Sequence, residues 1–371
     1  MNHISILLVD DDFNKISSII RTIKEVFDET LSINQASCVQ EAIENLQNKE
    51  YHLLITDLQM PLKYDDQPND NGGQVLIKQL YRNKSKVNVP MYIVGLTQFE
   101  ELKNNFEGIW KIWHFEPSSE IWKNNLRDLI FHISLVKSRV KANKIETIFL
   151  EGPTDKNIIE SCLKHFFENE IDKVYLETIN YGGGASWVQR QLFIWAKSLT
   201  IKTKEEKYLK AVGIFDDDEA GKIAIDNLIS QIEPNSAEKK TFSILKNSYK
   251  YSVLLKSIKS KGITFQTTIE DLISIDCWKA ANANGWLISR DLKKTKIDSS
   301  ILKLKNLEIS EKTLRESNFT EDEILLTINK VNDDYKKQFS NMVCTLDKEN
   351  LLSIKYLLED AFKKLKIDLI T

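Results

Sequence analysis

Short apolar runs alternate with segments of helical periodicity along the first part of the chain. The runs at 4–9, 52–56, 91–96 and 109–115 have the length and composition of buried strands. From 13 to 26 the apolar residues recur at helical spacing. Strands that alternate with helices predict a parallel sheet with helices on both faces.

A second series of the same kind follows the polar, basic stretch KSRVKANK at 137–144, where we place a domain boundary. Beyond about residue 268 the pattern is mostly helical, and Thr320 and Glu323 are spaced as a capping box. The predicted fold class is α/β, with two doubly wound parallel-sheet domains and a mainly helical C-terminal region. The strands predicted for the second series are 147–150, 173–179, 209–215 and 242–246. The predicted domains are 1–140, 141–275 and 276–371.

Composition narrows the function classes. Of the 371 residues 28% are charged, but the net charge is only −3, so any contact with nucleic acid has to come from local patches or metal ions. The four cysteines and five histidines are scattered, which argues against a zinc or disulfide framework. No apolar run approaches the roughly 18 residues of a membrane span, and the first residues lack the apolar core of a secretory leader. We therefore expect a cytoplasmic protein with no membrane partner.

Acidic residues follow strands of the first series. VDDD (9–12) comes directly after the first strand, and Asp57 and Thr97 end two later ones. Because the carboxyl ends of parallel strands share one edge of a sheet, we expect Asp10, Asp11 and Asp57 to meet in one pocket. Three such carboxylates need a divalent cation, and oxygen ligands suit Mg²⁺. Taken one at a time, each acid is more often a helix cap or a turn residue.

Nearly the whole first domain resembles the receiver domain of two-component response regulators. The resemblance rests on LLVDDD, TDLQMP, the GLT step and a final aromatic-acid-proline step. It implies that Asp57 accepts a phosphoryl group from a histidine kinase or a small phosphodonor. It also implies that Asp11, supported by Asp10, holds Mg²⁺, and that Thr97 and Trp113 sense the phosphoryl group.

Two features depart from the receiver pattern. Glu116 stands before Pro117, where the family has a lysine, and its negative charge would repel a phosphoryl group. The loop at 62–72 is long and acidic. Two alternatives therefore stay open: a phosphorylatable receiver, or a degenerate one that serves as a dimerisation or docking module.

A second group of acids is expected at one edge of the second sheet. EGPTD places Glu151 at the end of a strand and Asp155 in the first turn of the next helix. FDDDEAG places Asp216 and Asp218 on one face at the end of another strand, with Asp217 directed away. Four carboxylates that converge in this way predict a cation site. Alone, DDDE is also a common acidic helix start.

Glycines and lysines supply candidates for phosphate contacts. A glycine run lacks Cβ atoms, so its backbone can approach a nucleic-acid strand closely. The densest basic stretch is either a guide for a phosphate backbone or a solvated helix face. Trp187 and Trp195 are expected to be core residues rather than base-stacking platforms. The candidate nucleic-acid-binding residues are Gly182, Gly183, Gly184, Lys293, Lys294 and Lys296.

EGPTD and DDDEAG resemble the TOPRIM domain of topoisomerases, primases and OLD-family nucleases. The resemblance implies one or two bound Mg²⁺ or Mn²⁺ ions and a catalytic role for Glu151, Asp216 and Asp218. An Ile-Glu-Asp step further along is similar to OLD-type and other defence nucleases, and it adds Glu270 as a candidate ligand or, equally, as a helix-start acid. The implied TOPRIM ligands are Glu151, Asp155, Asp216 and Asp218.

The two groups of acids together predict a metal-dependent nuclease that a receiver domain regulates. We also expect the protein to form a homodimer. Such a fusion would suit bacterial anti-phage or stress defence. The alternative is a non-catalytic two-component signalling protein whose TOPRIM-like domain only binds nucleic acid or a protein partner. The sequence does not distinguish a DNA substrate from an RNA substrate.

Overall fold

The chain folds as two compact units, Met1–Asn143 and Lys144–Thr371. Within the part of the chain that the structure describes, no helix has both the length and the apolar composition needed to cross a membrane. The computed structural model describes residues 4–25, 27, 31–82, 87–98, 109, 111–141, 146–179, 184–199, 208–302 and 309–369.

The first unit is built on a five-stranded parallel sheet with the order β2-β1-β3-β4-β5. This is the flavodoxin-type order, which CheY-like receivers share. Val9 pairs with Ala36 on one side and Thr56 on the other, so the carboxyl ends of these strands lie at one edge. The strands are β1 Ile4–Val9, β2 Leu31–Ala36, β3 Leu53–Thr56, β4 Tyr92–Thr97 and β5 Lys111–His114. The helices are α1 Phe13–Lys24, α2 Val39–Asn48, α3 Gly72–Arg82 and α4 Glu120–Lys141.

Burial explains which elements the sequence analysis locates. The residues of β1, β3 and β4 are buried along their whole length, and these three strands are predicted from their apolar runs. β2 is a partly exposed edge strand that reads LSINQA, and the apolar pattern predicts neither it nor α2. Polar residues alternate along this edge strand, so no apolar run marks it.

The second unit contains a four-stranded parallel sheet with the order β7-β6-β8-β9. Phe149 packs edge-to-face against Trp187 and Trp195, and both tryptophans are buried, which confirms that they are core residues. The strands are β6 Thr147–Phe149, β7 Tyr175–Glu177, β8 Ala211–Phe215 and β9 Phe242–Lys246. The helices beside this sheet are α5 Pro153–Phe166, α6 Gly184–Ser198, α7 Glu219–Ser230 and α8 Val253–Ser260.

The C-terminal region is mainly helical, as predicted, and Thr320 and Glu323 form the expected capping box. It also contains short antiparallel strand pairs, β10 with β12 and β11 with β13, which the sequence analysis does not predict. Its helices are α9 Ile275–Ala283, α10 Glu311–Glu316, α11 Glu321–Ile328, α12 Lys336–Thr345 and α13 Leu352–Leu365. Its short strands are β10 Ile263–Thr264, β11 Leu287–Ser289, β12 Lys296–Ile297 and β13 Asn329–Val331.

One hydrophobic core joins the C-terminal helices to the sheet of the second unit. Ile148 of β6 belongs to the same cluster of buried side chains as Trp278 of α9 and Phe362 of α13. Phe167, which follows α5, contacts Phe362 edge-to-face at 5.0 Å between ring centroids. The structure therefore unites the segments 141–275 and 276–371, which the sequence analysis separates.

Candidate functional site

In the first unit, two buried carboxylates meet at the carboxyl edge of the sheet. Asp10 follows β1, Asp57 follows β3, and both are less than a tenth exposed. The ammonium group of Lys15, on α1, lies between them, with Nζ 2.7 Å from Asp10 Oδ2 and 2.8 Å from Asp57 Oδ2. Of the three carboxylates expected to share a pocket, Asp10 and Asp57 meet, and a lysine that is not predicted from the sequence lies between them.

The other two aspartates of VDDD have different roles. Asp12 is the N-cap of α1, and its Oδ1 accepts hydrogen bonds from the amides of Asn14 and Lys15. Asp11 is exposed, but partial desolvation and the nearby charge of Asp57 raise its pKa. Burial raises the pKa of Asp10 to about 6, and the ammonium group of Lys15 opposes that shift.

The predicted phosphoryl-sensing residues lie on the last two strands. Thr97 is fully buried at the end of β4, and Trp113 is partly buried on β5 beside Leu96. Glu116, the residue that departs from the family pattern, is exposed and accepts a hydrogen bond of 3.0 Å from the Ser118 hydroxyl. Its charge therefore faces solvent.

In the second unit, a direct hydrogen bond links the acids at the ends of the two central strands. Glu151 follows β6, and its Oε1 accepts the backbone N–H of Asp216 at 3.0 Å. Asp216 Oδ1 in turn accepts from Asn247 Nδ2 at 2.8 Å and from the Ile269 amide at 3.1 Å. These bonds fix the orientation of both carboxylates.

Asp155 and Asp218 lie at the first turns of the helices that follow these strands. Asp155 Oδ2 accepts the Gly152 amide at 3.2 Å, and Asp218 Oδ1 accepts the Gly221 amide at 2.7 Å as the N-cap of α7. A Cβ at Gly221 would lie 2.2 Å from the Asp216 carbonyl oxygen, so the close approach of helix and strand requires glycine. Asp217, which is predicted to point away from this pair, forms an ion pair with Lys246 at 3.0 Å.

Glu270 and Lys336 complete the acidic cluster. Glu270 begins a short 3₁₀ turn, is 3% exposed, and its charge acts on both Asp155 and Asp216. Lys336, the first residue of α12, places Nζ 3.7 Å from Glu270 Oε1. Lys336 is not predicted from the sequence, because no local motif marks it and only the tertiary fold brings α12 to this edge.

Mutual repulsion and burial shift the proton equilibria of the cluster. Burial raises the pKa of Glu151 and of Asp155 to about 7 each, and neighbouring carboxylates add to the effect. Burial likewise raises the pKa of Asp216 well above its ordinary value. The pKa of Lys336 is also raised, because the nearby acids favour its charged form despite its burial.

The donor chemistry of this cluster fits a hard divalent cation, since every candidate ligand is a carboxylate. The side chains do not form a preformed metal site. Across the described ranges, no three acidic, histidine or cysteine side chains are positioned to hold a metal ion. Instead, carboxylate oxygens of Glu151, Asp155 and Asp218 accept hydrogen bonds from backbone amides. A cation at this edge would have to replace some of these contacts.

A groove runs from the acidic cluster to a group of lysines. Its first part is a cavity of about 280 Å³ whose walls include Asp216, Asp218 and Lys336. Its second part is a cavity of about 410 Å³. Asp218, Phe265, Gln266 and Lys294 line both cavities, so the two are adjacent. We call this surface the lysine groove; the basic residues of its second part are Lys222, Lys259, Lys294 and Lys296.

The structure separates the predicted nucleic-acid-binding residues. Lys294 and Lys296 line the lysine groove, whereas Lys293 lines neither of its cavities. Gly184 begins α6 with a positive φ of 65°, and its N–H donates to the Glu151 carbonyl at 3.0 Å. Gly182 and Gly183 lie outside the described residues.

Among known proteins, one sequence matches part of this chain, and solved structures have a similar fold over part of it. No family model matches the chain. A protein from Sinorhizobium fredii (strain NBRC 101917 / NGR234), y4jS, which is described as uncharacterised, is 29% identical over 162 residues, or 42% of this chain. These residues are 39% of the relative, so the match spans about two fifths of the length of that protein.

Solved structures to which this chain is similar include response regulators and isolated receiver domains. The chemotaxis response regulator CheY4 of Vibrio cholerae is 18% identical, with a TM-score of 0.27 over 35% of this chain and 98% of that one. The isolated receiver domain of RcsB from Salmonella enterica serovar Typhimurium is 22% identical, with a TM-score of 0.26 over 36% of this chain and 88% of that one. The fold of the first unit is assigned from its own strand order and register.

We predict that the metal-free protein loses stability as the pH rises through about 7. Glu151 and Asp155 have ordinary pKa values of 4.5 and 3.8 when unfolded and about 7 when folded, so between these values the folded state binds more protons. The stabilisation that the bound protons provide is complete below the pKa values of the unfolded chain. It falls between about pH 5 and about pH 8, because over this range both carboxyl groups lose their protons in the folded state. Thermal unfolding in a chelator at these two pH values measures it.

Asp155→Asn is the matched variant for this experiment, because it removes one titrating group and keeps the shape of the side chain. Its unfolding temperature should depend less on pH than that of the wild-type protein. An equal pH dependence in both proteins would contradict the assignment.

Proposed function

We propose that the second unit is a metal-dependent hydrolase of nucleic-acid phosphodiesters and that the first unit is a receiver that regulates it. The observation that carries the proposal is the convergence of Glu151, Asp155, Asp216, Asp218 and Glu270 on the carboxyl edge of one parallel sheet. So many carboxylates at one edge are costly to keep ionised without a cation. The TOPRIM resemblance of EGPTD and DDDEAG supports the same assignment.

A Mg²⁺ or Mn²⁺ ion at this edge would polarise a phosphate and lower the pKa of an attacking water. Within the chain, Glu151 is oriented by the amide of Asp216, and its raised pKa suits a group that takes up a proton near neutral pH. The Lys336 side chain lines the same cavity as Asp216 and Asp218, and its ammonium group would contact a phosphate oxygen. Asp216 and Asp218 line the same cavity and would share the ion.

The lysine groove supports a polyanionic substrate. An acidic site on a chain of net charge −3 has no overall field to attract nucleic acid. Four lysines along the second cavity supply a local positive field, and Asp218 lines the same cavity. A strand whose phosphate lies at the acidic cluster would place its neighbouring phosphates along these lysines.

The first unit supplies the regulatory part of the proposal. Its flavodoxin-type sheet places Asp57 at the carboxyl edge, with Asp10 beside it and Asp11 close by. Asp57 is the proposed phosphoacceptor, served by a histidine kinase or a small phosphodonor, with Mg²⁺ in the same pocket. A role for a cytoplasmic homodimer in bacterial defence is part of the proposal and rests on the family resemblance alone.

A specific observation favours a second candidate function, a signalling protein that binds without catalysis. Each acidic cluster contains a buried or partly buried lysine, Lys15 in one and Lys336 in the other, whose ammonium group already balances part of the acidic charge. Thermal stabilisation by Mg²⁺ separates the two functions. Under the hydrolase proposal, Mg²⁺ stabilises the wild-type chain and stabilises Asp218→Asn much less.

We predict that the chain cleaves nucleic acid in Mg²⁺ or Mn²⁺, and that Glu151→Gln and Asp216→Asn each lower the rate by at least about hundredfold. Both substitutions remove a charge that the ion requires. The measurement is a cleavage panel of plasmid, single-stranded DNA and tRNA, with and without a small phosphodonor.

Asp217→Asn is the control for the cleavage panel, because Asp217 is adjacent in sequence but pairs with Lys246. This variant should retain nearly full activity. Undiminished cleavage by both Glu151→Gln and Asp216→Asn would refute the hydrolase proposal.

We predict that the double variant Lys294→Glu, Lys296→Glu weakens binding of single-stranded nucleic acid by at least about tenfold, with a smaller dependence of affinity on salt. The reason is the loss of phosphate contacts along the lysine groove. Fluorescence anisotropy in the Asp216→Asn background measures binding without cleavage. Lys293→Glu is the matched control, and a loss as large in that variant would show that overall charge, not the groove, determines binding.

A further inference from the structure

The most completely buried cation among the described ion pairs is Lys15, and its position raises the question of what it does. Its side chain is 1% exposed. Taking an ammonium group out of water is costly unless opposite charges surround it. Asp10 and Asp57 supply these charges at 2.7 and 2.8 Å. Phe115 forms a further wall of the pocket, with the centroid of its ring 5.6 Å from Lys15 Nζ.

The two oxygens of Asp57 are in different environments. Oδ1 accepts the backbone N–H of Leu58 at 2.6 Å, whereas Oδ2 faces the Lys15 ammonium group. A phosphoryl group formed on Oδ2 would therefore begin beside a positive charge. Its three oxygens carry between one and two further negative charges near neutral pH, which need such a partner.

The segment after β5 does not supply that partner. Glu116 is acidic, exposed and bonded to the Ser118 hydroxyl. Among the described residues, no arginine and no lysine other than Lys15 forms an ion pair with Asp10 or Asp57. The charge that a phosphoryl group needs in this pocket therefore comes from α1.

We propose that Lys15 binds and neutralises a phosphoryl group on Asp57, and that in the unmodified protein it holds Asp57 and Asp10 together. The inference rests on the receiver part of the proposed function and is independent of the hydrolase part. With acetyl phosphate as donor, an Asp57 oxygen attacks phosphorus and forms a new P–O bond. The P–O bond to the acetyl group breaks, and acetate leaves with its electron pair. Mg²⁺ is the required co-reactant, and Lys15 stays protonated.

The test uses the full chain with acetyl phosphate and Mg²⁺, and it follows the mass of the intact protein over time. The wild-type protein should gain one phosphoryl group that Asp57→Asn cannot gain. Lys15→Met should slow the gain by at least about tenfold, because the charge is lost. Lys15→Arg, which keeps the charge, should stay within about threefold of the wild-type rate.

Lys24→Met is the matched control, because Lys24 lies on the same helix and is exposed. This variant should react like the wild-type protein. If circular dichroism shows that Lys15→Met is unfolded, Lys15→Gln takes its place under the same criterion.

Three results would overturn the inference. The first is a wild-type rate in Lys15→Met or Lys15→Gln. The second is an equal loss in Lys15→Arg and the neutral variant, which would assign Lys15 a packing role. The third is a wild-type protein that gains no phosphoryl group on Asp57. None of these results bears on nucleic-acid cleavage, so the failure of this inference and that of the hydrolase proposal are distinguishable.

Discussion

The repulsion between carboxylates at the carboxyl edge of a parallel sheet is the constraint on which both candidate sites depend. In each unit the topology brings acids from separate parts of the chain to one edge, and there they have to be neutralised. In the first unit, the ammonium group of Lys15 lies between Asp10 and Asp57. In the second, Lys336 approaches Glu270, while Glu151 and Asp155 have pKa values of about 7.

The two units meet this constraint in different ways. In the pocket of the first unit, one buried lysine lies between two carboxylates that are each less than a tenth exposed. The cluster of the second unit has more acids than nearby cations, and it opens into the lysine groove. A buried ammonium group beside Asp57 suits a phosphoryl group added to that side chain. An open, acidic edge next to lysines suits a metal ion and a long polyanion.

The sequence alone predicts where the acids lie. A short apolar strand followed by carboxylates is a local pattern, and the geometry of a parallel sheet places the ends of such strands at one edge. Asp10, Asp57, Glu151 and Asp216 all lie where that rule places them. Lys15 and Lys336 are not predicted, because the stretches FNK and DYKK carry no signal and only helix packing brings these lysines to the acids. For the same reason the sequence does not separate Lys293 from Lys294. Lys294 lines the lysine groove, whereas Lys293 lines neither of its cavities.

The central claim is that the acidic edge of the second unit binds a divalent cation. Its most direct test is a titration of Mn²⁺ into the Asp57→Asn chain, which lacks the charge of the first pocket, followed by electron paramagnetic resonance. The account predicts saturable binding that disappears when Asp216→Asn is added to the same chain. Binding of the same strength and stoichiometry in the double variant would contradict it.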